Sequence, residues 1–167
     1  MSRRPAWVVM GVSGCGKSTV GRELAARLGV AYIEGDGFHS SASVAKMAAG
    51  HALDDADRAD WLNALKQQIA GARARDAGLV LSCSALKRRY RDLLREADPG
   101  LRFAHLHGPR ALLEERVAQR RDHFMPAALL GSQLAALEPL APDEHGLVLD
   151  VGQSPAILVR QILASTC

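Results

Sequence analysis

The sequence predicts an α/β fold in which a five-stranded parallel sheet is flanked by helices on both faces. Short apolar runs alternate along the chain with longer segments in which apolar residues recur every three or four positions, a pattern typical of βα units. Polar residues that could bind a ligand or take part in catalysis follow these apolar runs directly. In an open parallel sheet, this is the edge at which ligands bind.

The first strand is predicted at Ala6–Met10, a wholly apolar run suited to a buried position. Residues 11–18 follow as Gly-Val-Ser-Gly-Cys-Gly-Lys-Ser, which fits the phosphate-binding pattern GxxxxGK[ST]. In this pattern backbone N–H groups cradle a polyphosphate, the lysine reaches its terminal phosphates and the serine hydroxyl can bind Mg²⁺. We therefore expect ATP and Mg²⁺ as cofactors. The expected nucleotide contacts are Gly11, Val12, Ser13, Gly14, Cys15, Gly16, Lys17, Ser18 and Thr19, with Ser18 on the metal.

The other elements alternate in the same way. A helix is predicted at 19–29, because its apolar residues recur every fourth position and Gly29 is a plausible C-cap. A second strand at 31–34 ends in the polar turn 35–39, and a short helix follows at about 43–48. Further strands are predicted at 79–83, 101–106 and 147–151, and further helices at 57–76, 86–94, 110–119 and from Pro155, which follows the N-cap candidate Ser154.

Bulk properties favour one domain spanning residues 1–167. No apolar run approaches the ~20 residues of a membrane span, and no signal peptide fits before the first strand. The three cysteines are too widely spaced for a disulfide or metal pattern, which favours the cytoplasm. The net charge is +3, and the basic residues are spread along helices beside acidic ones. Aromatic residues make up only 4% of the chain. We therefore expect neither nucleic acid nor a membrane as a partner.

An acidic turn follows the second strand as Glu34-Gly35-Asp36. Beside a phosphate loop, one carboxylate can hold Mg²⁺ through water while the other orients an attacking hydroxyl and accepts its proton. His39 follows on the same loop and is a further candidate for the acceptor site.

A basic segment lies between the fourth and fifth strands. Arg116 and Arg120 are four residues apart, so they share a helix face. The segment, at about 116–140, could close over ATP as a small helical lid and bring Arg120 to the transferring phosphoryl group, or it could be a solvated basic helix. Sequence periodicity does not choose between these interpretations. His105 and His107 alternate on the fourth strand and are interpreted as structural, since no third metal ligand is evident.

Taken together, these motifs resemble the gluconokinases, a group of small P-loop kinases. The resemblance extends in order over nearly the whole chain. Its more specific stretches are Cys83-Ser84-Ala85-Leu86-Lys87 and His123-Phe124-Met125, and it also includes Leu53-Asp54-Asp55, Asp57-Arg58, Trp61-Leu62, Ser132-Gln133 and Leu137-Glu138-Pro139.

The resemblance implies ATP-dependent phosphorylation of D-gluconate at its 6-hydroxyl by a cytoplasmic enzyme that is often a homodimer. It implies that Asp36 faces the 6-hydroxyl, that Arg58 and Lys87 help hold the sugar acid and that Arg120 belongs to the lid. From their place on the acidic turn, Glu34 is expected to hold Mg²⁺ through water and His39 to contact the acceptor. Lys17, Asp36 and Arg120 are the residues expected to act in catalysis.

Three departures from the family pattern concern Cys15, where many members have serine, His51-Ala52, which replaces a stretch that commonly contains proline, and Asp122, where glycine is common. A kinase of another hydroxy acid such as shikimate remains the nearest alternative, although shikimate kinases carry a glycine-rich turn at the Cys-Ser-Ala-Leu-Lys position. A nucleotide-dependent switch protein is the alternative from a different class; it would need no small-molecule acceptor.

Overall fold

A computed structural model describes residues 4–119 and 129–166. The strands are β1 (Ala6–Met10), β2 (Ala31–Glu34), β3 (Leu79–Ser82), β4 (Arg102–His107) and β5 (Leu147–Asp150). The helices are α1 (Lys17–Leu28), α2 (Ser41–Ala48), α3 (Asp55–Ala74), α4 (Arg88–Ala97), α5 (Arg110–Gln119), α6 (Leu129–Ala136) and α7 (Pro155–Thr166). Short 3₁₀ turns occupy Gly35–Phe38 and Pro142–Glu144.

The five strands form one parallel sheet in the order β2-β3-β1-β4-β5. This confirms the predicted fold class. Ser82 at the end of β3 lies opposite both Val9 of β1 and Glu34 of β2. The segments that follow these three strands therefore start side by side, and this edge of the sheet carries the candidate site.

Both faces of the sheet are buried, as expected for parallel strands. Along β1, Trp7 and Val9 belong to a core shared with α1, α5 and α7, whereas Val8 and Met10 belong to a second core shared with α3 and α4. The continuous apolar run that predicted β1 thus reflects a strand covered by helices on both sides.

The main differences from the predicted elements lie at helix starts. Helix α2 begins two residues earlier than predicted, after Ser40, whose hydroxyl accepts a hydrogen bond from the Ser43 N–H at 3.1 Å. Helix α3 also begins two residues early, because Asp54 and Asp57 form a reciprocal capping box.

The segment predicted as a small helical lid, 116–140, includes the end of α5 and all of α6, whose bounds the sequence did not predict. Arg120, Asp122 and the His123-Phe124-Met125 stretch lie outside the described residues. In the described part of the chain, no helix combines the length and apolar character needed to cross a membrane.

Candidate active site

The phosphate loop connects β1 to α1 with a backbone that only glycine tolerates at several points. Gly14 and Gly16 have φ values of 83° and 90°, and Gly16 is the N-cap of α1. A Cβ on Gly14 would lie 2.9 Å from the Leu113 carbonyl oxygen, so the loop packs directly against α5. The glycines therefore set both the turn and its close approach to the neighbouring helix.

A cleft of about 230 Å³ opens over this loop. Its lining comprises Gly14, Gly16, Lys17, Ser18, Thr19, Asp36 and Arg116. The Lys17 ammonium donates to the Val12 carbonyl oxygen at 3.1 Å, and Arg116 donates to the Val151 carbonyl oxygen at 2.6 Å. Loop N–H groups, a helix N-terminus and two cations make this cleft suitable for a polyphosphate.

Not every loop residue faces the cleft. Val12 and Cys15 are buried at 2% and 1% exposure beneath the loop. The Ser13 N–H donates to the Gln133 side-chain oxygen at 2.7 Å rather than into the cleft. These three residues shape the loop, whereas the residues from Gly16 to Thr19 present it to a ligand.

Two candidate metal-binding groups meet at the base of the cleft. The Ser18 hydroxyl donates to the Glu34 carboxylate at 2.5 Å, and the Tyr32 hydroxyl donates to the same carboxylate oxygen at 2.7 Å. Burial, together with the bond to Glu34, raises the pKa of Tyr32 to about 12, so this hydroxyl remains a proton donor. Hydroxyl and carboxylate oxygens are the donors that Mg²⁺ prefers, so this pair fits the expected ion.

A second cavity of about 270 Å³ lies beside the cleft. We call it the acceptor cavity. It is formed by α2, the start of α3, α6 and the segment after β3, and its lining is Met47, Ala52, Leu53, Asp54, Asp55, Arg58, Lys87, Leu129, Ser132, Gln133 and Ala136. The mixture of apolar walls and charged groups suits a small polar acceptor.

A narrow space joins the cleft to the acceptor cavity. Lys17 and Asp36 line both this junction and the cleft, while Arg58 lines both the junction and the acceptor cavity. His39 also lines the junction and stacks on Trp61 with ring centroids 4.3 Å apart. The junction thus borders both compartments, with Asp36 on the side of the cleft.

The His39 side chain is only 5% exposed, and burial lowers its pKa below the usual value. Its Nε2 lies 4.0 Å from an Asp36 carboxylate oxygen. Its Nδ1 is buried and has no hydrogen-bond partner among the described residues. His39 at the junction is therefore a neutral imidazole whose Nδ1 is enclosed and unpaired among the described residues.

Cations surround Tyr90 at the rim of the acceptor cavity. The Arg58 guanidinium and the Lys87 ammonium lie 5.6 Å and 5.8 Å from the Tyr90 ring centroid, and Lys87 is 3.4 Å from Asp55. Tyr90 and Arg89 also donate hydrogen bonds to Asp55. The bond from Tyr90, with support from Arg89 and Lys87, lowers the pKa of Asp55 to about 2. This rim presents fixed positive charge to an anionic ligand.

A family model described as an AAA domain matches residues 7–140. The gluconokinase of Gluconobacter oxydans (strain 621H) is 44% identical over 160 residues, an alignment that covers 93% of this chain and 88% of that protein. The chain belongs to the gluconokinase family.

Solved structures agree with membership of the gluconokinase family. An unliganded sugar kinase from Janibacter sp. HTCC2649 has a TM-score of 0.92 and 45% identity, covering 96% of this chain and 92% of that one. A gluconokinase from Sinorhizobium meliloti 1021 has a TM-score of 0.88 and 44% identity, covering 99% of this chain and 93% of that one.

Within this gluconokinase fold, the structure brings together most residues singled out from the sequence. Lys17, Ser18, Glu34 and Asp36 lie around the cleft or its base, and His39, Arg58 and Lys87 line the junction or the acceptor cavity. The candidate Arg120 lies outside the described residues.

Sequence reasoning missed four polar side chains of this site: Tyr32, Ser82, Tyr90 and Gln133. Tyr32 precedes Glu34 by two residues on β2 and therefore points to the same side, which was a usable signal. The Ser82 hydroxyl oxygen lies 3.0 Å from the Tyr32 hydroxyl oxygen and donates to the Lys17 carbonyl oxygen at 3.0 Å. Only tertiary packing brings Gln133 to the phosphate loop, so no local pattern could have identified it.

Proposed function

We propose that this chain transfers the γ-phosphoryl group of ATP to the 6-hydroxyl of D-gluconate, giving 6-phosphogluconate and ADP. The observation that supports this most directly is that the junction bordered by Asp36 shares walls with both the phosphate-loop cleft and the acceptor cavity. The acceptor is inferred from the names of the relatives, because the cavity lining by itself fits many small hydroxy acids.

On the nucleotide side, the loop N–H groups and Lys17 bind the β- and γ-phosphates. Ser18, directly, and Glu34, through water, would hold Mg²⁺, whose charge would partly neutralise the phosphates. Arg116 lies in the same cleft and is tied to the Val151 carbonyl oxygen, so its guanidinium is already positioned.

On the acceptor side, Arg58 and Lys87 bind the carboxylate and hydroxyls of gluconate, and His39 helps hold the acceptor at the junction. The Asp36 carboxylate orients the 6-hydroxyl. As its oxygen bonds to the γ-phosphorus, the bond from that phosphorus to the β,γ-bridging oxygen breaks, and the hydroxyl proton passes to Asp36 and then to solvent. ADP leaves with the bridging oxygen.

Arg120 and the lid segment 116–140 complete this proposal. Arg120 stabilises the charge of the transferring phosphoryl group, and the lid excludes water from the active site. Residues 1–167 form a single domain that includes the lid. We also propose a cytoplasmic homodimer, as the family resemblance implies. Analytical ultracentrifugation tests the dimer, and cell fractionation tests the location.

A coupled ADP-release assay with Mg·ATP tests the function, comparing D-gluconate, shikimate, other sugar acids and no acceptor. A large rate with D-gluconate alone is expected, and it should disappear when EDTA removes Mg²⁺. If another acid stimulates ADP release instead, the kinase mechanism stands but the assignment of D-gluconate as substrate is wrong. ATP binding without stimulation by any acceptor would favour a nucleotide-dependent switch.

A further inference from the structure

Helix α6 forms one wall of the acceptor cavity with a single face. The residues of this helix that line the cavity recur at helical spacing: Leu129, Ser132, Gln133 and Ala136. Leu129 packs with Met47 of α2 and Leu53, which belong to the opposite walls. A ligand in the acceptor cavity would therefore contact α6 directly.

The same helix contacts the phosphate loop through Gln133. The side-chain oxygen of Gln133 accepts a hydrogen bond from the Ser13 N–H at 2.7 Å, and the bond is buried. Gln133 is 8% exposed and lines the acceptor cavity as well as the junction. One side chain thus contacts the loop that holds phosphate and the space intended for the acceptor.

The C-terminal end of α6 is fixed to the segment that carries Lys87. The Leu137 N–H donates to the Gln133 carbonyl oxygen at 2.9 Å, and the Glu138 N–H donates to the Leu86 carbonyl oxygen at 2.7 Å. With its end anchored, α6 cannot shift freely when the cavity fills. Contact with a ligand therefore acts on the side-chain conformation of Gln133.

We propose that Gln133 is a positioning residue that couples the acceptor cavity to the phosphate loop. An acceptor in contact with Gln133 restricts its rotamers, which holds its oxygen on the Ser13 N–H and fixes the loop for the nucleotide. Because such coupling is reciprocal, bound nucleotide must strengthen acceptor binding by the same factor. This inference rests on the proposed function, since it takes D-gluconate as the occupant.

The test compares the wild-type protein with Gln133→Met, which has a similar shape but no hydrogen-bonding amide. D-gluconate affinity is measured by calorimetry with and without a non-hydrolysable Mg·ATP analogue. We expect the analogue to raise wild-type affinity about fivefold or more, and the Met variant to bring this ratio close to one. We also expect kcat to fall about tenfold in that variant, with the affinity for the analogue alone changed less than about threefold.

Ser132→Ala is the matched control, because Ser132 lines the cavity from the same helix. It should keep the wild-type ratio. A wild-type ratio of one, or an unchanged ratio in Gln133→Met, would overturn the coupling while leaving D-gluconate turnover, and hence the proposed function, intact. Absence of D-gluconate turnover in the wild-type protein would overturn the proposed function and the inference with it.

Hydrogen exchange on the wild-type protein covers the case in which Gln133→Met fails to fold. D-gluconate alone, without nucleotide, should slow amide exchange in the segment 10–18. Unchanged exchange in that segment at saturating D-gluconate would contradict the coupling.

Discussion

Asp36 borders both the phosphate-loop cleft and the junction, so its carboxylate should matter for transfer more than for nucleotide binding. We expect Asp36→Asn to lower kcat by about 10²-fold or more, because the amide cannot accept the hydroxyl proton. The affinity for ATP should change by less than about threefold. Steady-state kinetics and ATP titration measure the two effects.

Asp60→Asn is the control for this change, since Asp60 is an exposed carboxylate on α3 away from the cleft. It should leave both parameters unchanged. A selective loss of ATP binding in Asp36→Asn would contradict a role at the acceptor hydroxyl.

Arg58 lines the acceptor cavity with its guanidinium near the Tyr90 ring and its Nη1 3.3 Å from the Tyr90 hydroxyl. We expect Arg58→Ala to raise the KM for D-gluconate about 10- to 100-fold, the cost of losing a charge-assisted hydrogen bond. The effect on kcat should be smaller. Arg73 is an exposed arginine of the same helix, and Arg73→Ala should leave the KM for D-gluconate unchanged. A similar rise in KM in Arg73→Ala would mean that the effect depends on the overall charge of the protein rather than on the position of Arg58.

Among individual site residues, those whose position is set by their neighbours along the chain could be predicted from the sequence. Lys17 and Ser18 belong to a loop with one known geometry, and Glu34 and Asp36 follow a strand whose end is recognisable. Tyr90 and Gln133 were missed as site residues because each reaches the site from a helix whose orientation depends on packing. Spacing along a helix gives a face but not what that face meets.

A buried ion pair anchors the segment that follows α6. Arg91 is fully buried and forms a bidentate pair with Glu144, with distances of 2.7 Å and 3.0 Å. Arg91 also donates to the Ala85 carbonyl oxygen at 2.9 Å, which holds the segment leading to Lys87. Helix α4 thus connects the 3₁₀ turn Pro142–Glu144 to one wall of the acceptor cavity.

We expect Glu144→Gln to lower the free energy of unfolding by about 3 to 5 kcal/mol, because it leaves the buried Arg91 without a balancing charge. Urea denaturation monitored by circular dichroism measures the loss. Asp143→Asn is the matched control one residue away, since it breaks an exposed pair with Arg88 that solvent screens and that should therefore contribute little to stability. Equal effects of the two substitutions would mean that the buried pair contributes no more than a surface one.

Helix boundaries illustrate what periodicity leaves out. The apolar spacing of α3 begins at Trp61, yet the helix starts at Asp55 because the Asp54–Asp57 capping box satisfies the first N–H groups. Helix α6 is short and combines cavity-lining residues with residues of the core, so no clear stripe distinguishes it in the sequence.

For the molecule as a whole, the sequence predicted five parallel strands but not their order. The order β2-β3-β1-β4-β5 depends on which strand edges pair, and the sequence of a single strand does not specify its partner. The convergence of site residues was still predictable, because right-handed βα units bring the carboxyl ends of parallel strands to one edge whatever their order.

A buried histidine in the sheet makes the free energy of unfolding depend on pH. His105 of β4 is 3% exposed, lies opposite Met10 and Val148 on its neighbouring strands, and has an Nδ1 without a hydrogen-bond partner in the described residues. Burial, aided by His107, Arg91 and Lys17, lowers the pKa of His105 to about 4. The unfolded chain takes up this proton near the usual value of about 6.5, whereas the folded chain excludes it until about pH 4.

Stability should therefore fall as pH decreases through this window. We expect His105 to account for about 2 kcal/mol of the loss between pH 7 and pH 5, with a further part from His39, whose pKa is also lowered. His105→Gln should reduce the loss by that amount, whereas His51→Gln, at an exposed loop position, should not. Urea denaturation at both pH values gives the difference, and an unchanged pH dependence in His105→Gln would mean that His105 takes up its proton at the same pH in the folded and unfolded chains.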